Sequence, residues 1–410
     1  MLKSRKMKRF TIALAAISAT LLTLSCRREA PSGTDAFLLE FIMPEECRPN
    51  AFYSGQKVSL KGGVNYEFTT DDFGLVTVES IVPGIYDIVT GVEMTGAAYK
   101  ALLKAPAAIE DNARVMVGVS VMNKRIFQAE DLKINLTAAV LKGLLISKVY
   151  YAGTRDNMDR TYTTDSYVEI FNNSDETLYI DGKYLGLAES VSPPAYPAKD
   201  NPDSIFMRQI CRFPGSGKDY PVEPGKSIVV AAKSARNHLE SAATSVDLSK
   251  ADFEVKPIEG SGNPDVPMLP LISNSTNIQT LNLISGGGNA VVLFETDEDV
   301  LSWPEVYQRG KTSGELFRRI HKSVVIDGVE CLRKPSQNAP DVNTKRLQAD
   351  IDAGYTVITA VNGYNHESVE RKVSRVEGGR CYLTDTNNSS ADFVVCTDPT
   401  PRNYEKEELR

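Results

Sequence analysis

Apolar and polar positions along this chain alternate in short runs broken by Gly, Pro, Asn and Asp, a pattern that predicts strands and turns. The run that organises the rest is Tyr167–Gly186. Tyr167, Val168, Ile170 and Phe171 make one strand, and Leu178, Tyr179 and Ile180 begin a second. Between them Asn172–Asp175 is turn chemistry, because Asn and Asp bond nearby backbone and tolerate positive φ. Asp181-Gly182 turns the chain again. Glu169 alternates out of its strand and Asp175 lies in the turn, so both are expected on solvated surface.

Similar runs recur on either side. Gln56–Leu60 and Leu75–Val78 read as strands, the latter set between turns at Asp71–Gly74 and Pro83-Gly84. A short helix is predicted near Ala97–Lys104, ended by Pro106. Ile134–Leu136 closes a first unit, and Leu145–Gly153 opens a second. There, Ile228–Val230 is apolar throughout and predicts a buried strand, and Ser234–Glu240 a short helix. Ile258–Pro270, rich in Gly and Pro, reads as an exposed excursion. Leu281–Leu283 and Ala290–Phe294 read as a hairpin across Gly286–Gly288, and Arg318–Cys331 as two strands turning at Asp327-Gly328. Asn343–Ala353 is the best helix candidate, since Leu347 and Ile351 fall four apart. Many short strands at regular turn spacing predict an all-β chain of two consecutive β-sandwiches.

The N-terminus reads as a processed address. Lys3, Arg5, Lys6, Lys8 and Arg9 precede an apolar run, Phe10–Leu24, and small Ser25 precedes Cys26. This is the anatomy of a lipoprotein signal peptide over residues 1–25, with Cys26 the lipidated residue and 26–36 a linker. The run falls short of the roughly 20 apolar residues a span requires. A cleaved signal with plain secretion is the other reading. Removing five cations takes the formal charge from −7 to −12. An acidic body lacks the basic footprint that nucleic acid requires.

Five cysteines remain once Cys26 is lipidated, so at least one thiol is unpaired within the chain. Cys381 and Cys396 flank a terminal hairpin and are the preferred disulfide. No cysteine pair has metal-ligand spacing, and only His238, His321 and His366 could assist, so neither metal nor cofactor is expected. Asp385–Ser389 begins like a calcium loop, but Ser390 and Cys396 stand where glycine and glutamate are needed, and a turn is expected. Gly215–Lys218 lacks the remainder of a phosphate loop. His366 beside Glu367 could pair a base with its orienter, yet no nucleophile motif accompanies them. Tyr184, Tyr196, Tyr220 and Trp303 lie outside obvious strand cores and are the candidate binding surface; burial as core or loop anchors is the competing reading.

Three resemblances follow from these residues. Tyr66–Ile88, with its Thr-Asp-Asp-Phe-Gly-Leu-Val and Pro-Gly-Ile-Tyr wording, resembles the carboxypeptidase-regulatory-like sandwich, which carries no peptidase activity of its own. Tyr167–Gly186 with Pro224–Ala231 is similar to the lamin-tail type of immunoglobulin-like sandwich. Tyr167–Gly182, Ser368–Lys372 and Asp385–Phe393 together resemble a family of Bacteroidetes envelope lipoproteins of unassigned function. These imply a regulatory-like sandwich over 37–140, a lamin-tail-like sandwich with long loops over 141–403, and a charged tail over 404–410. The expected protein is a non-catalytic binding or scaffolding lipoprotein, anchored to the outer membrane on an undecided face. It would be accessory to an outer-membrane transporter or, alternatively, an adhesive or structural component binding host protein or glycan. A hydrolase is disfavoured by the missing nucleophile and metal clusters.

Overall fold

A computed structural model describes residues 33–256 and 262–409; the signal segment and Cys26 lie outside the described residues. The first unit holds eight strands: β1 (Phe37–Ile42), β2 (Lys57–Lys61), β3 (Tyr66–Thr69), β4 (Leu75–Val78), β5 (Gly84–Thr95), β6 (Arg114–Ile126), β7 (Leu132–Asn135) and β8 (Thr137–Leu141). A sheet ordered β4-β1-β7 faces one ordered β3-β2-β5-β6-β8. Inward positions alternate as a half-buried strand requires: Phe37, Leu39 and Phe41 on β1 meet Val58 and Leu60 on β2 and Val115 and Val117 on β6. A short helix, α1 (Gly96–Lys100), is capped by the Thr95 hydroxyl and lies ahead of Pro106, within the predicted span.

The second unit begins with β9 (Leu144–Tyr150), the short pair β10 (Thr154–Arg155) and β11 (Thr161–Tyr162), β12 (Tyr167–Asn172), β13 (Leu178–Tyr179) and β14 (Tyr184–Ala188). Then come β15 (Ser204–Arg212), β16 (Pro221–Val222), β17 (Ser227–Ala231), β18 (Phe253–Glu254), β19 (Leu271–Asn274) and β20 (Asn289–Phe294). The remainder is β21 (Glu305–Tyr307), β22 (Leu316–His321), β23 (Val325–Cys331), β24 (Ser368–Arg371), the pair β25 (Val373–Glu377) and β26 (Arg380–Leu383), one helical turn α2 (Ser389–Asp392), and β27 (Phe393–Cys396). Six strands order as β18-β17-β12-β9-β24-β27, and the other sheet as β21-β22-β15-β14-β20-β23 with β19 also on β15.

Past the predicted turn after β12 the chain runs through β13, paired with β16, and enters the second of these sheets at β14. Between the sheets lies a core of Ile146, Val168, Ile170, Leu185, Leu187, Val291 and Leu293. Each sheet is also covered on its other face. Tyr184, Ile205, Val292 and Phe294 pack beneath Leu347 and Ile351, and Leu145 and Phe171 pack against Leu383, Tyr404 and Leu409. Double coverage explains why β9, β12, β14 and β20 are buried at every position. The second sheet must also curl. β22 and β23 stand four strand spacings apart in its order, about 19 Å if flat, yet the link through Lys322–Val324 reaches at most about 14 Å. Among the described residues no helix is long and apolar enough to cross a membrane.

Several expectations are overturned, mostly by buried carboxylates. Asn343–Ala353 is a single 3-10 turn, Val342–Thr344, followed by irregular chain. Leu347 and Ile351 are buried as their spacing suggested, but the Arg346 and Leu347 amides donate to Glu330 Oε2 at 2.7 and 2.9 Å, and a helix beginning at Asn343 would need the Leu347 amide for its own first turn. Ser234–Glu240 is likewise non-helical, with Ala235 N donating to Glu254. Asp327-Gly328 lies inside β23, and the turn falls at Lys322–Val324. Leu281–Leu283 is buried but unpaired as a strand. Within the predicted excursion, Val266 and Leu269 are core residues and Leu269 N donates to Glu254 O; residues 258–261 lie outside the described ones.

Candidate binding cleft and the predicted site residues

Where the two sandwiches meet, the outer face of β5, β6 and β8 lies beneath two loops of the second unit, 345–353 and 385–391. Hollows of about 730 and 270 Å³ adjoin there, both touching Asp350 and Lys322. Val121, Met122 and Thr137 supply the sandwich side, and Gln348, Ala349 and Asn387 the loop side. A smaller hollow of about 90 Å³ continues over Gly91 and Gly118, which face each other across β5 and β6. Lys322 Nζ lies 2.8 Å from Asp350 Oδ2, so this pair spans the cleft wall with neither charge isolated.

The loops are held from behind. Asp352 Oδ1 accepts from the Ser389 and Gly354 amides at 2.8 and 3.0 Å, and its Oδ2 accepts from Glu330 N at 2.8 Å. One buried carboxylate thereby ties both loops to β23. A Cβ at Gly354 would come within 2.0 Å of Asn388 Oδ1, so the loops approach as closely as only glycine permits. Deeper still, Arg371 on β24 donates to Asp327, Asp385 and Asp392 at 2.9 to 3.2 Å, all four groups buried. Asp392 also accepts from Thr386 N, Thr386 Oγ1 and Asn388 N. One cation serves three carboxyl groups, and burial pushes Asp327 up to about 6 and Asp392 up to about 7, against the pull of Arg371.

The predicted site residues are dispersed. Tyr184 is buried and stacks on Phe294 at 4.8 Å, which removes it from any surface; Trp303, half-buried, packs near the same ring and donates to Glu298. Tyr196 stacks on Phe206 at 3.8 Å, and Tyr220 packs on Phe253 at 5.0 Å in the inter-sheet core. They anchor three different places and form no shared face. Cys381 and Cys396 both belong to the apolar layer that includes Tyr404. The 385–389 stretch is a capped turn, with Asn388 accepting from Ser390 N and Asp385 bound to Arg371.

Glu169 is the largest departure. It is fully buried, and its carboxylate accepts from Ser227 Oγ, Tyr404 OH and Arg402 N at 2.6, 2.6 and 3.0 Å. The terminal residues expected to form a charged tail are docked instead: Lys406 pairs with buried Glu370, and Lys148 donates to the Thr400 and Asn403 carbonyls. Glu367 does not orient His366. It accepts from Thr359 N and Oγ1, while His366 Nδ1 lies 3.4 Å from Tyr150 OH, which donates to Asp165. Nothing in the sequence pattern marked the 345–353 and 385–391 loops as one wall; their shared Asp352 was the available signal, and it reads locally as turn chemistry.

Residues 223–400 match a family described as "Protein of unknown function (DUF4876)". The chain is similar to the crystal structure of a DUF4876 family protein from Bacteroides thetaiotaomicron, at 23% identity and TM-score 0.54, over 88% of this chain and 94% of that one. Coverage of that extent spans both sandwiches, and the likeness shows their fold. Weaker matches are a Bacteroides uniformis protein provisionally described as carbohydrate binding (8% identity, TM-score 0.17, 39% and 60% covered) and a DUF3823 family protein from Bacteroides ovatus (11%, 0.15, 48% and 98%). No curated protein matches the chain.

Proposed function

We propose that this is a non-catalytic lipoprotein of the cell envelope, tethered through Cys26, whose two sandwiches form a binding or scaffolding module accessory to an outer-membrane transporter. The cleft between the sandwiches is its contact surface. The carrying observation is that both cleft loops are fixed from behind by Asp352 and the Arg371 hub before anything binds. A wall already ordered loses little conformational entropy on association. The non-catalytic part is supported by Glu367 and Asp385, whose carboxylates are engaged by Thr359 and Arg371.

The test is purification of the tagged, lipidated chain from gently solubilised outer membrane, in parallel with Ala349→Trp. Ala349 is exposed and lines the cleft. A β-barrel protein recovered in stoichiometric amount with the native chain, and lost with the tryptophan variant, is the expected result. A solitary native lipoprotein would remove the transporter reading, and glycan and host-protein arrays would then test the adhesive one.

A further inference from the structure

The described chain begins at one end of the first sandwich, and that end is apolar. Thr34 N donates to Ile81 O at 2.8 Å and Ile81 N donates to the Thr34 hydroxyl, fixing the incoming chain beside the Pro83-Gly84 turn. Around that turn stand three outward-facing apolar side chains: Val64 is 45% exposed, Ile85 46% and Phe127 60%. They come from three segments. Gly62 packs so closely that an added Cβ would lie 2.6 Å from Ile85 O, which sets Val64's loop beside Ile85. Across the hairpin Gly84 pairs with Ile126, which brings Phe127 to the same end. Lys61, Lys124 and Arg125 flank these residues in the chain; Asp87 faces Lys61 across the strands and accepts from Asn123 N.

The chain leaves the first sandwich elsewhere. Leu141 pairs with Arg114, which pairs with Thr95, at the opposite end of the β5–β6 hairpin. Eleven residue steps along β5 separate Gly84 from Thr95, about 36 Å at strand rise. Seven peptide steps separate Cys26 from Gly33, a reach of at most about 25 Å. Once Cys26 is lipidated, the end carrying Thr34 is confined to within that distance of the bilayer.

From this we infer that Val64, Ile85 and Phe127 form a membrane-contacting tip that seats in the lipid interface beside the anchor and orients the molecule. The inference rests on the lipid-anchored reading above and adds the face that meets the lipid. The partner is the bilayer surface: apolar side chains enter the boundary between headgroups and acyl chains, with flanking cations at the phosphates. The lipid on Cys26 holds the chain at the bilayer but leaves its orientation free, and a second contact of this kind fixes it.

The test uses the full lipidated chain in vesicles of phosphatidylethanolamine and phosphatidylglycerol. In a Trp303→Phe background, one variant carries Phe127→Trp and another Phe73→Trp; Phe73 is 64% exposed, at the other end of β1, where Phe41 N meets Gly74 O. Bromine-labelled acyl chains should quench the first tryptophan several-fold more than the second, with a blue shift on transfer from detergent. Hydrogen exchange of the unsubstituted chain should slow on vesicles at 62–65 and 126–128, which guards against misfolded variants. Flotation and intact mass are read alongside. Chain that floats, carries lipid on Cys26, and shows equal quenching at both positions and no slowed exchange overturns the tip alone. Chain that neither floats nor carries lipid overturns the anchor reading and the tip with it.

Discussion

At Glu169, one side chain shows how a residue read as surface becomes structural. Alternation along β12 does point it away from the inter-sheet core, but the chain's own C-terminal segment covers that face. Its carboxylate satisfies a hydroxyl, a phenol and an amide that have no water to turn to. Glu169→Ala should therefore cost about 2–4 kcal/mol, read as a lower urea midpoint, and should free the last dozen residues to carboxypeptidase. Glu169→Gln, which keeps one acceptor, should lose less. The Arg371 hub makes a prediction in pH. An Asp whose folded pKa lies above its unfolded value of about 3.9 binds a proton more tightly in the fold. Its contribution is greatest below pH 4, declines up to about 7 for Asp392, and is flat beyond. Asp327, raised to about 6, and Asp165, raised to about 6 by burial near Tyr150, act with the same sign. Urea midpoints between pH 4.5 and 8 should fall less steeply for Asp392→Asn than for the native chain. The variant's absolute stability should also be lower, because its amide faces donors.

Among elements, those written in apolar alternation were legible. The strands at Leu75–Val78, Tyr167–Asn172 and Ala290–Phe294 stand where the pattern put them, since burial and β-branched residues at period two decide such segments locally. What the pattern missed was decided at a distance. The 343–353 segment has helical spacing, but Glu330 lies 16 and 17 residues away from the amides it takes. Asp327-Gly328 has turn wording, but a buried partner on β24 keeps it extended. Removing a long-range acceptor should expose the competition. In Glu330→Ala, amide exchange at Arg346 and Leu347 should quicken by at least tenfold, with roughly 2–3 kcal/mol lost overall, and the fold of the first sandwich should be unchanged. The cleft belongs to this class: each loop that forms it looks like ordinary turn chemistry, and only the shared carboxylates show that the two make one wall.

At the scale of the molecule, the second sandwich is a set of layers, each sheet covered on both faces, and the outermost cover is the last stretch of chain. Residues Pro399 to Lys406 reach Tyr167, Lys148, Glu169 and Glu370. Deleting 398–410 should therefore leave the first sandwich folded and the second unfolded or loosened, read in urea as a cooperative transition for the first and a broadened or missing one for the second. Apart from Lys406 with Glu370, 36 residues apart, these contacts join positions 232 to 255 residues apart. Closure of that kind is slow and cannot begin early, because the loop must be complete before its ends are rewarded. While the chain is still being made, the central strands β9 and β12 carry a lysine, a glutamate and a tyrosine whose partners do not yet exist. The first sandwich can form as soon as it emerges; the second has to wait for its final dozen residues. In a chain made from its N-terminus onward, the first sandwich is therefore already closed while the second is still open and threadable.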